Sequence, residues 1–346
     1  MFLVEKTHLT SHFKLIAKKP SPLPKGYQLA ARSFDEKVIF HLKSLNSASD
    51  LSNISISWMS KAVSFLSKIH FEAQDQISNF RSESDSDYYQ ALYMDYSQKV
   101  LDLSNLISSA VQRLVERRLL LNLSLRLLKS KSSGQISSPE KLNKAKDALI
   151  RSVESQQISN EKAQRAKDLL EELTSAINSL SLPSPEKPKK TNSGRDLIRR
   201  TLYGLGALTV FISSVLVSVL YGQSDPVEVR VPAEFLWADS INGVQKQIFD
   251  LIKPKQASDG GERRILLELE VTANRALAVR DILEEAAVDG GDNHRVRLED
   301  GVKELGTTAA EFSDVVDALT NGVNGLFSCV LKTRNGVLDG VRKCEW

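Results

Sequence analysis

Hydrophobic residues recur every three or four positions along most of this chain, which is the spacing of one face of an α-helix. A first helix is predicted to begin near Ser33, which can form a capping box with Glu36, and a second covers residues 56–80. The third predicted helix, residues 87–131, is the longest. Its hydrophobic residues form a stripe along one face of the helix. A stripe this long must be buried against other helices, so the pattern predicts an elongated bundle. The stripe comprises Leu92, Tyr96, Val100, Leu103, Ile107, Val111, Leu114, Leu121, Leu125 and Leu128.

The helical periodicity continues through the second half of the chain. A highly charged helix is predicted to begin at Pro139 with Ser138 as its cap, and another follows a short break near residues 158–160. Only residues 227–231 alternate as a β-strand does, and no repeat of 20 to 50 residues is visible. The fold class predicted is therefore all-α, a multi-helix bundle. Three further helical patterns cover about 233–253, 262–287 and 296–334.

Residues 202–221 form an uncharged stretch of twenty residues, long enough to span the hydrocarbon core of a bilayer. Basic residues precede it, as expected of a cytoplasmic flank. Its serines, threonine and glycines fit a buried helix of a soluble bundle equally well. Both interpretations stay open, and membrane association is the one expected here. The residues expected to form the membrane segment are Leu202, Tyr203, Leu208, Phe211, Val215, Leu220 and Tyr221.

Changes in composition predict five regions along the chain. Residues 1–34 form a basic leader that carries a single acid, which is typical of either a disordered arm or an organellar transit peptide. Residues 35–181 form an N-terminal helical region, and residues 182–200 form a proline-rich basic linker. The apolar helix occupies 201–222, and a C-terminal helical region occupies 223–346.

Composition excludes several classes of function. The net charge of +3 is too small to indicate nucleic-acid binding, and no nucleic-acid partner is expected. Two cysteines, Cys329 and Cys344, make no disulfide framework. His8 and His12 have the spacing of two metal ligands on a helix but lack a third ligand nearby. No motif of a nucleotide-binding loop, a nucleophilic serine or a zinc protease occurs, so we expect no catalytic residue, cofactor or metal.

Two short polar segments are candidate phosphorylation sites. Ser82, Ser84 and Ser86 alternate with acids just before the long third helix, where a phosphate would be favourable at a helix N-terminus. Ser193 lies among basic residues of the predicted linker. The alternative for both segments is an exposed polar loop without regulation.

Four stretches, in this order and spacing, resemble the plant BYPASS-like family, which is related to the ROH-type proteins. They contain Ser57-Trp58-Met59, Lys99 to Leu103, Leu202-Tyr203-Gly204 and Leu236-Trp237-Ala238. No single motif is specific, and the resemblance covers roughly residues 35 to 340. It implies an all-helical plant protein without a known catalytic site, in which Trp58, Tyr203 and Trp237 serve packing.

The resemblance also implies a function. Members of the family are associated with shoot and root development, including restraint of a root-derived signal that arrests shoot growth. We therefore expect a non-enzymatic developmental regulator or scaffold that acts through protein partners bound to its helical surfaces. Alternatives are a vesicle-tethering or exocyst-associated factor, and an enzyme or carrier for a small apolar signal molecule. The expected location is the cytoplasmic face of a membrane, with cytosol or plastid as alternatives; the oligomeric state is left open.

Overall fold

The structure is a computed structural model whose described residues fold almost entirely into α-helices. It describes residues 25–45, 54–80, 85–129, 138–154, 159–180, 182, 193–222, 226–252, 266–288 and 292–342. Within these ranges there are nine helices and no β-strand, which confirms the all-α prediction. The helices are α1 (Lys25–Leu45), α2 (Ile56–Phe80), α3 (Ser86–Leu128), α4 (Pro139–Val153), α5 (Asn160–Ser179), α6 (Ser193–Tyr221), α7 (Ala238–Ile252), α8 (Leu267–Val288) and α9 (Asp292–Arg342).

Helix α6 lies at the centre of the bundle. It packs against α1, α2, α3, α5 and α7, while α9 packs along α2 and α3, and α4 and α8 join α3 and α9. Helices α3 and α9 run antiparallel, since Arg118 pairs with Asp317 and Arg334 donates to the carbonyl oxygen of Met94. At 1.5 Å per residue the 43 residues of α3 and the 51 of α9 extend about 65 and 75 Å.

One continuous hydrophobic core joins the two halves of the chain. It extends from Phe34 in α1 to Val337 in α9 and includes the apolar residues of α6 from Ile198 onward that are buried, while Leu197 packs with Ala30 and Ala31 in a small separate cluster. Trp58 and Leu103, expected to pack in the bundle, both belong to it. The core therefore contains residues from both sides of the predicted linker.

Helix α1 begins earlier than the sequence pattern predicted. It starts at Lys25, so Ser33 and Glu36 lie inside the helix and form no capping box, and residues 25–34 are helical rather than part of a leader. The reason is an apolar face, since Ala30 and Ala31 are buried together with Phe34. Residues 1–24 lie outside the described part of the chain.

Helix α6 likewise begins earlier than the sequence pattern predicted. It starts at Ser193, so residues 193–200 of the predicted linker are the first two turns of a helix. Leu197 and Ile198 are buried there, which explains why the helix extends beyond the uncharged stretch. Of the remaining linker residues, only Leu182 is described.

Helix α9, not α3, is the longest described helix. Its glycines made a continuous helix difficult to predict, because glycine weakens helix interiors. Here a small residue suits the packing: a Cβ on Gly322 would lie 3.6 Å from the Ser60 carbonyl oxygen of α2, and one on Gly301 would lie 3.4 Å from Ile282 of α8.

The segment that alternates like a strand, residues 227–231, runs between α6 and α7 without pairing as a β-strand. Its backbone is instead matched by one side chain. The Gln245 amide accepts from Val229 N at 2.9 Å and donates to Val229 O at 2.9 Å. A buried glutamine of α7 thus satisfies the backbone as a neighbouring strand would.

Candidate functional site: the central helix and its surroundings

All seven residues expected to form a membrane segment lie inside the protein. None of their side chains is more than 8% exposed, and Leu208, Phe211 and Val215 are fully buried. Residues Gly194–Tyr221 are long and apolar enough to cross a bilayer, but 94% of the most apolar window is buried in the bundle. The central helix of a soluble protein meets the same length and hydropathy criteria, so these two properties are weak evidence for a membrane span.

Protein groups bind the hydroxyls of the two tyrosines that flank the apolar stretch of α6 and of one threonine in its middle. The Tyr203 hydroxyl donates to Arg230 O at 3.0 Å, and the Tyr221 hydroxyl donates to Leu106 O at 2.8 Å. The Thr209 hydroxyl lies 2.9 Å from the Tyr96 hydroxyl of α3. The tyrosines that resemble a membrane-interface pair in sequence therefore bind backbone carbonyls of this chain.

The C-terminal end of α6 is held by a cation. Arg113 of α3 donates to Leu220 O at 2.5 Å, and its guanidinium lies 5.3 Å from the centre of the Tyr221 ring. A positive charge is favourable at the negative end of a helix dipole. The guanidinium also donates a hydrogen bond to one of the terminal carbonyl oxygens that have no partner within the helix. Arg113 is therefore placed to fix α6 against α3.

A buried ion pair connects α1, α6 and the turn before α7. Arg200 donates two hydrogen bonds to the Asp35 carboxylate, at 3.1 and 2.8 Å. The same carboxylate accepts from Trp237 Nε1 at 3.1 Å and from Leu236 N at 3.0 Å. Asp35 is 1% exposed. Its charge is tolerated inside the bundle because four donors surround it.

Aromatic rings pack against this ion pair. The Arg200 guanidinium lies 4.1 Å from the centre of the Phe235 ring and also donates to Glu234 O at 3.1 Å. Phe235 in turn contacts Trp237 edge-on and stacks on Tyr203. The packing role that the family resemblance implied for Trp237 and Tyr203 agrees with these contacts, and their polar atoms add hydrogen bonds.

The Asp35–Arg200 pair is not evident from the sequence. Asp35 lies within the predicted first helix, and Arg200 is one of the basic residues that precede residues 202–221. The two residues are 165 positions apart, so no local pattern relates them. The only sequence signal is an acid next to Phe34 on an apolar helix face.

A second buried polar cluster surrounds His70. The acids near it on the predicted second helix lead to the expectation of a partly exposed side chain. That expectation is wrong: His70 is 1% exposed, its Nε2 lies 2.6 Å from the Tyr93 hydroxyl, and its ring stacks on Tyr96. Burial lowers the pKa of His70 to about 4. The imidazole is therefore neutral at pH 7, and burial raises the pKa of Tyr93 well above its ordinary value.

Neither a group of metal ligands nor an activated thiol is found among the described residues. Among them, no three His, Cys, Asp or Glu side chains are grouped as metal ligands. Burial raises the pKa of the free thiol of Cys329, which suits a packed cysteine rather than a nucleophile. His8, His12 and Cys344 lie outside the described residues.

A cavity of about 200 Å³ lies beside α6, between α5 and the extended segment before α7. Its apolar part could hold only a small molecule. Its two charged residues, Glu228 and Arg230, are exposed rather than directed together at a buried point. The cavity thus offers space without a pair of groups suited to proton transfer. It is lined by Thr174, Ile177, Asn178, Tyr203, Ala207, Val210, Glu228, Val229 and Arg230.

The candidate phosphorylation sites stay predictions. Ser82 and Ser84 lie outside the described residues, whereas Ser86 begins α3 and Ser193 begins α6. The two helix starts are neighbours, because Arg195 Nε lies 3.0 Å from the carboxylate of Asp85, the residue before α3. The structure thus brings together two segments that are more than 100 residues apart in the chain.

Comparison with known proteins identifies relatives in plants. Residues 179–341 match the family model described as Protein ROH1-like. Protein BPS1, chloroplastic, of Arabidopsis thaliana is 27% identical over 338 residues, which cover 97% of this chain and 88% of that protein. UPF0496 protein 4 is 28% identical in Oryza sativa subsp. japonica and 27% identical in subsp. indica, each over 285 residues that cover 80% of this chain.

These similarities confirm the resemblance that the ordered motifs indicated. The aligned region spans 60% of the length of each rice protein. No solved structure matches this chain. The family relationship therefore rests on sequence.

Proposed function

Since the chain is a BYPASS-like protein related to the ROH1-like family, we propose that it is a plant developmental regulator that acts without catalysis. The observation that carries this proposal is the similarity to Protein BPS1, which extends over 97% of the chain. A relationship over nearly the whole length includes the helices that form the core and those that form the surface. We infer the same kind of role, a restraint on a root-derived signal that arrests shoot growth.

Action through protein partners is the mechanism that the architecture favours. Two titratable groups buried in the described core are engaged structurally: Asp35 holds Arg200, and His70 contacts Tyr93. The long helices α3 and α9 present extended outer faces instead. Helical faces of this kind bind other helices or extended segments through apolar anchors with polar rims. We propose that partner proteins bind there.

The proposal is tested by removing the gene from the plant that carries it and restoring it. Loss should release the root-derived signal and arrest shoot growth, and the wild-type gene should restore growth. A matched pair of variants tests whether the role requires the intact bundle: Glu36→Ala changes an exposed ion pair, and Asp35→Ala changes the buried one. We expect Glu36→Ala to restore growth and Asp35→Ala to fail. Normal shoots after complete loss of the gene would refute the proposed role.

A vesicle-tethering role is the second candidate. It is supported by the match of residues 179–341 to the ROH1-like family model and by the length of α3 and α9. Affinity purification of the tagged full chain separates the two candidates. Recovery of exocyst subunits as the main partners would favour tethering, and their absence beside other specific partners would favour the regulator.

The proposed location is the cytoplasmic face of a membrane, with α6 kept inside the bundle. The complete burial of Leu208 and Val215 supports this arrangement, because leaving the bundle would expose the core that α6 fills. The hydrogen bonds of Tyr203 and Tyr221 would also be lost. A plastid location is the alternative, as the name of the Arabidopsis relative includes the word chloroplastic.

A further inference from the structure

The most exposed large hydrophobic side chains of the described residues all lie on one helical hairpin. Leu29 and Phe40 on α1 are 69% and 70% exposed, and Phe71 on α2 is 67% exposed. The next such residue, Val296 on α9, is 57% exposed. Single exposed apolar residues are common on protein surfaces, so the observation that matters is their concentration on α1 and α2.

These three side chains lie on the sides of α1 and α2 that are turned away from the core. Leu29 and Phe40 are eleven residues apart, which is three helical turns, so they lie on one face about 17 Å apart along the axis. The helices run antiparallel, as shown by the Tyr27–Phe80 ring contact at 5.8 Å. Lys37, one turn before Phe40 in α1, forms an ion pair with Glu72 of α2. Glu72 is the residue that follows Phe71. The two phenylalanines therefore flank one point of contact between the helices.

Basic residues surround these apolar side chains. Helices α1 and α2 carry six lysines and arginines, and all but the half-buried Lys37 are exposed. The acids of the surface are Glu36, Glu72 and Asp75, because Asp35 is turned inward to Arg200. Positive charge therefore exceeds negative charge on this side. The basic residues are Lys25, Arg32, Lys37, Lys43, Lys61 and Lys68.

The charges lie close to the aromatic side chains. The Phe40 and His41 rings are 5.2 Å apart. Partial burial lowers the pKa of His41, and the nearby Lys68 and Lys37 lower it further. His41 is thus biased toward its neutral form, while the lysines supply the positive charge.

We propose that this surface, the α1–α2 outer face formed by Leu29, Phe40, Phe71 and the surrounding lysines, binds the anionic surface of a lipid bilayer. Aromatic and leucine side chains partition into the headgroup boundary, and lysines are attracted by acidic headgroups. A nucleic acid would satisfy the lysines but leave the apolar side chains in water. This attachment needs no movement of α6, and it is independent of the developmental role proposed above.

Vesicle sedimentation of the purified full chain tests the proposal. Wild-type protein should bind vesicles of phosphatidylcholine with phosphatidylserine and should bind phosphatidylcholine alone much more weakly. The double variant Phe40→Ser/Phe71→Ser should weaken binding about tenfold or more, because two large apolar groups no longer enter the bilayer. The matched control is Leu119→Ser/Val296→Ser, which alters two exposed residues on α3 and α9 and should leave binding unchanged. Circular dichroism melting should show that both variants fold.

Release from the vesicles distinguishes this face from α6. Protein held by the α1–α2 outer face should leave the vesicles in about 1 M salt, where the Debye length falls to about 3 Å. Protein that resists salt and a carbonate wash, with binding unaffected by the phenylalanine variant, would identify insertion of α6 and overturn the proposal. A wild-type chain that binds neither kind of vesicle, or an equal loss in the control variant, would also overturn it.

Discussion

Replacing Asp35 by alanine should destabilise the bundle more than any substitution of a surface acid. The change removes the acceptor of two hydrogen bonds from Arg200 and of one each from Trp237 and Leu236 N. Arg200 is 8% exposed, so its charge would stay buried without a carboxylate. Breaking one partner of a buried ion pair costs about 3–5 kcal/mol of unfolding free energy.

The measurement is urea denaturation of the full chain, followed by circular dichroism and compared at equal protein concentration. The neighbouring residue provides the control, since Glu36 forms an exposed ion pair with Arg32 at 2.9 Å. Exposed pairs contribute about 0–1 kcal/mol, so Glu36→Ala should shift the transition little. Two adjacent acids on one helix are thus expected to differ severalfold in their effect.

A double-mutant cycle isolates the ion pair. Asp35→Ala/Arg200→Met should recover part of the lost stability, because the unpaired buried charge is gone. It should not recover all of it, since Trp237 Nε1 and Leu236 N still lack an acceptor. If Asp35→Ala costs less than about 1 kcal/mol, or if the double variant is the less stable of the two, the proposed role of this pair is wrong.

Three further predictions concern other parts of the chain. Leu208→Arg/Val215→Arg places two charges where both side chains are fully buried, so the protein should lose its folded state or aggregate; a folded, soluble variant derived from a carbonate-resistant wild type would instead indicate a membrane-inserted α6. The pKa of His70 is lowered to about 4, so the unfolded chain takes up a proton at this histidine before the folded protein does. The free energy of unfolding should therefore be unaffected by His70 above about pH 6.5 and fall by about 1.4 kcal/mol per pH unit from there toward pH 4. His70→Gln should flatten that slope in acid denaturation, and an unchanged slope would contradict the assignment. Limited trypsin digestion should cut first within residues 182–192, and a first cut within 100–125 of α3 would contradict the predicted linker.

Local patterns were sufficient to locate most helices. The periodicity of residues 56–80 matches α2, and Ser138-Pro139 marks the start of α4. These signals are local because each depends on residues within one or two turns. The starts of α1 and α6 were missed because no stripe of large apolar residues marks their first turns, and only the burial of Ala30 and Ala31 with Leu197 shows why those turns are helical.

The sequence by itself determined that this protein is all-helical, that it resembles the BYPASS-like family, and that it has one uncharged helix long enough for a membrane. Hydropathy depends only on composition along the chain, so it could not distinguish a lipid environment from a protein one around residues 202–221. Tertiary structure decided that point by surrounding α6 with five helices. Tertiary structure also decided which residues pair with the buried charges. Asp35 contacts Arg200 only because α1 and α6 pack together. The two residues are 165 positions apart, and a contact over that distance produces no periodic pattern in the sequence.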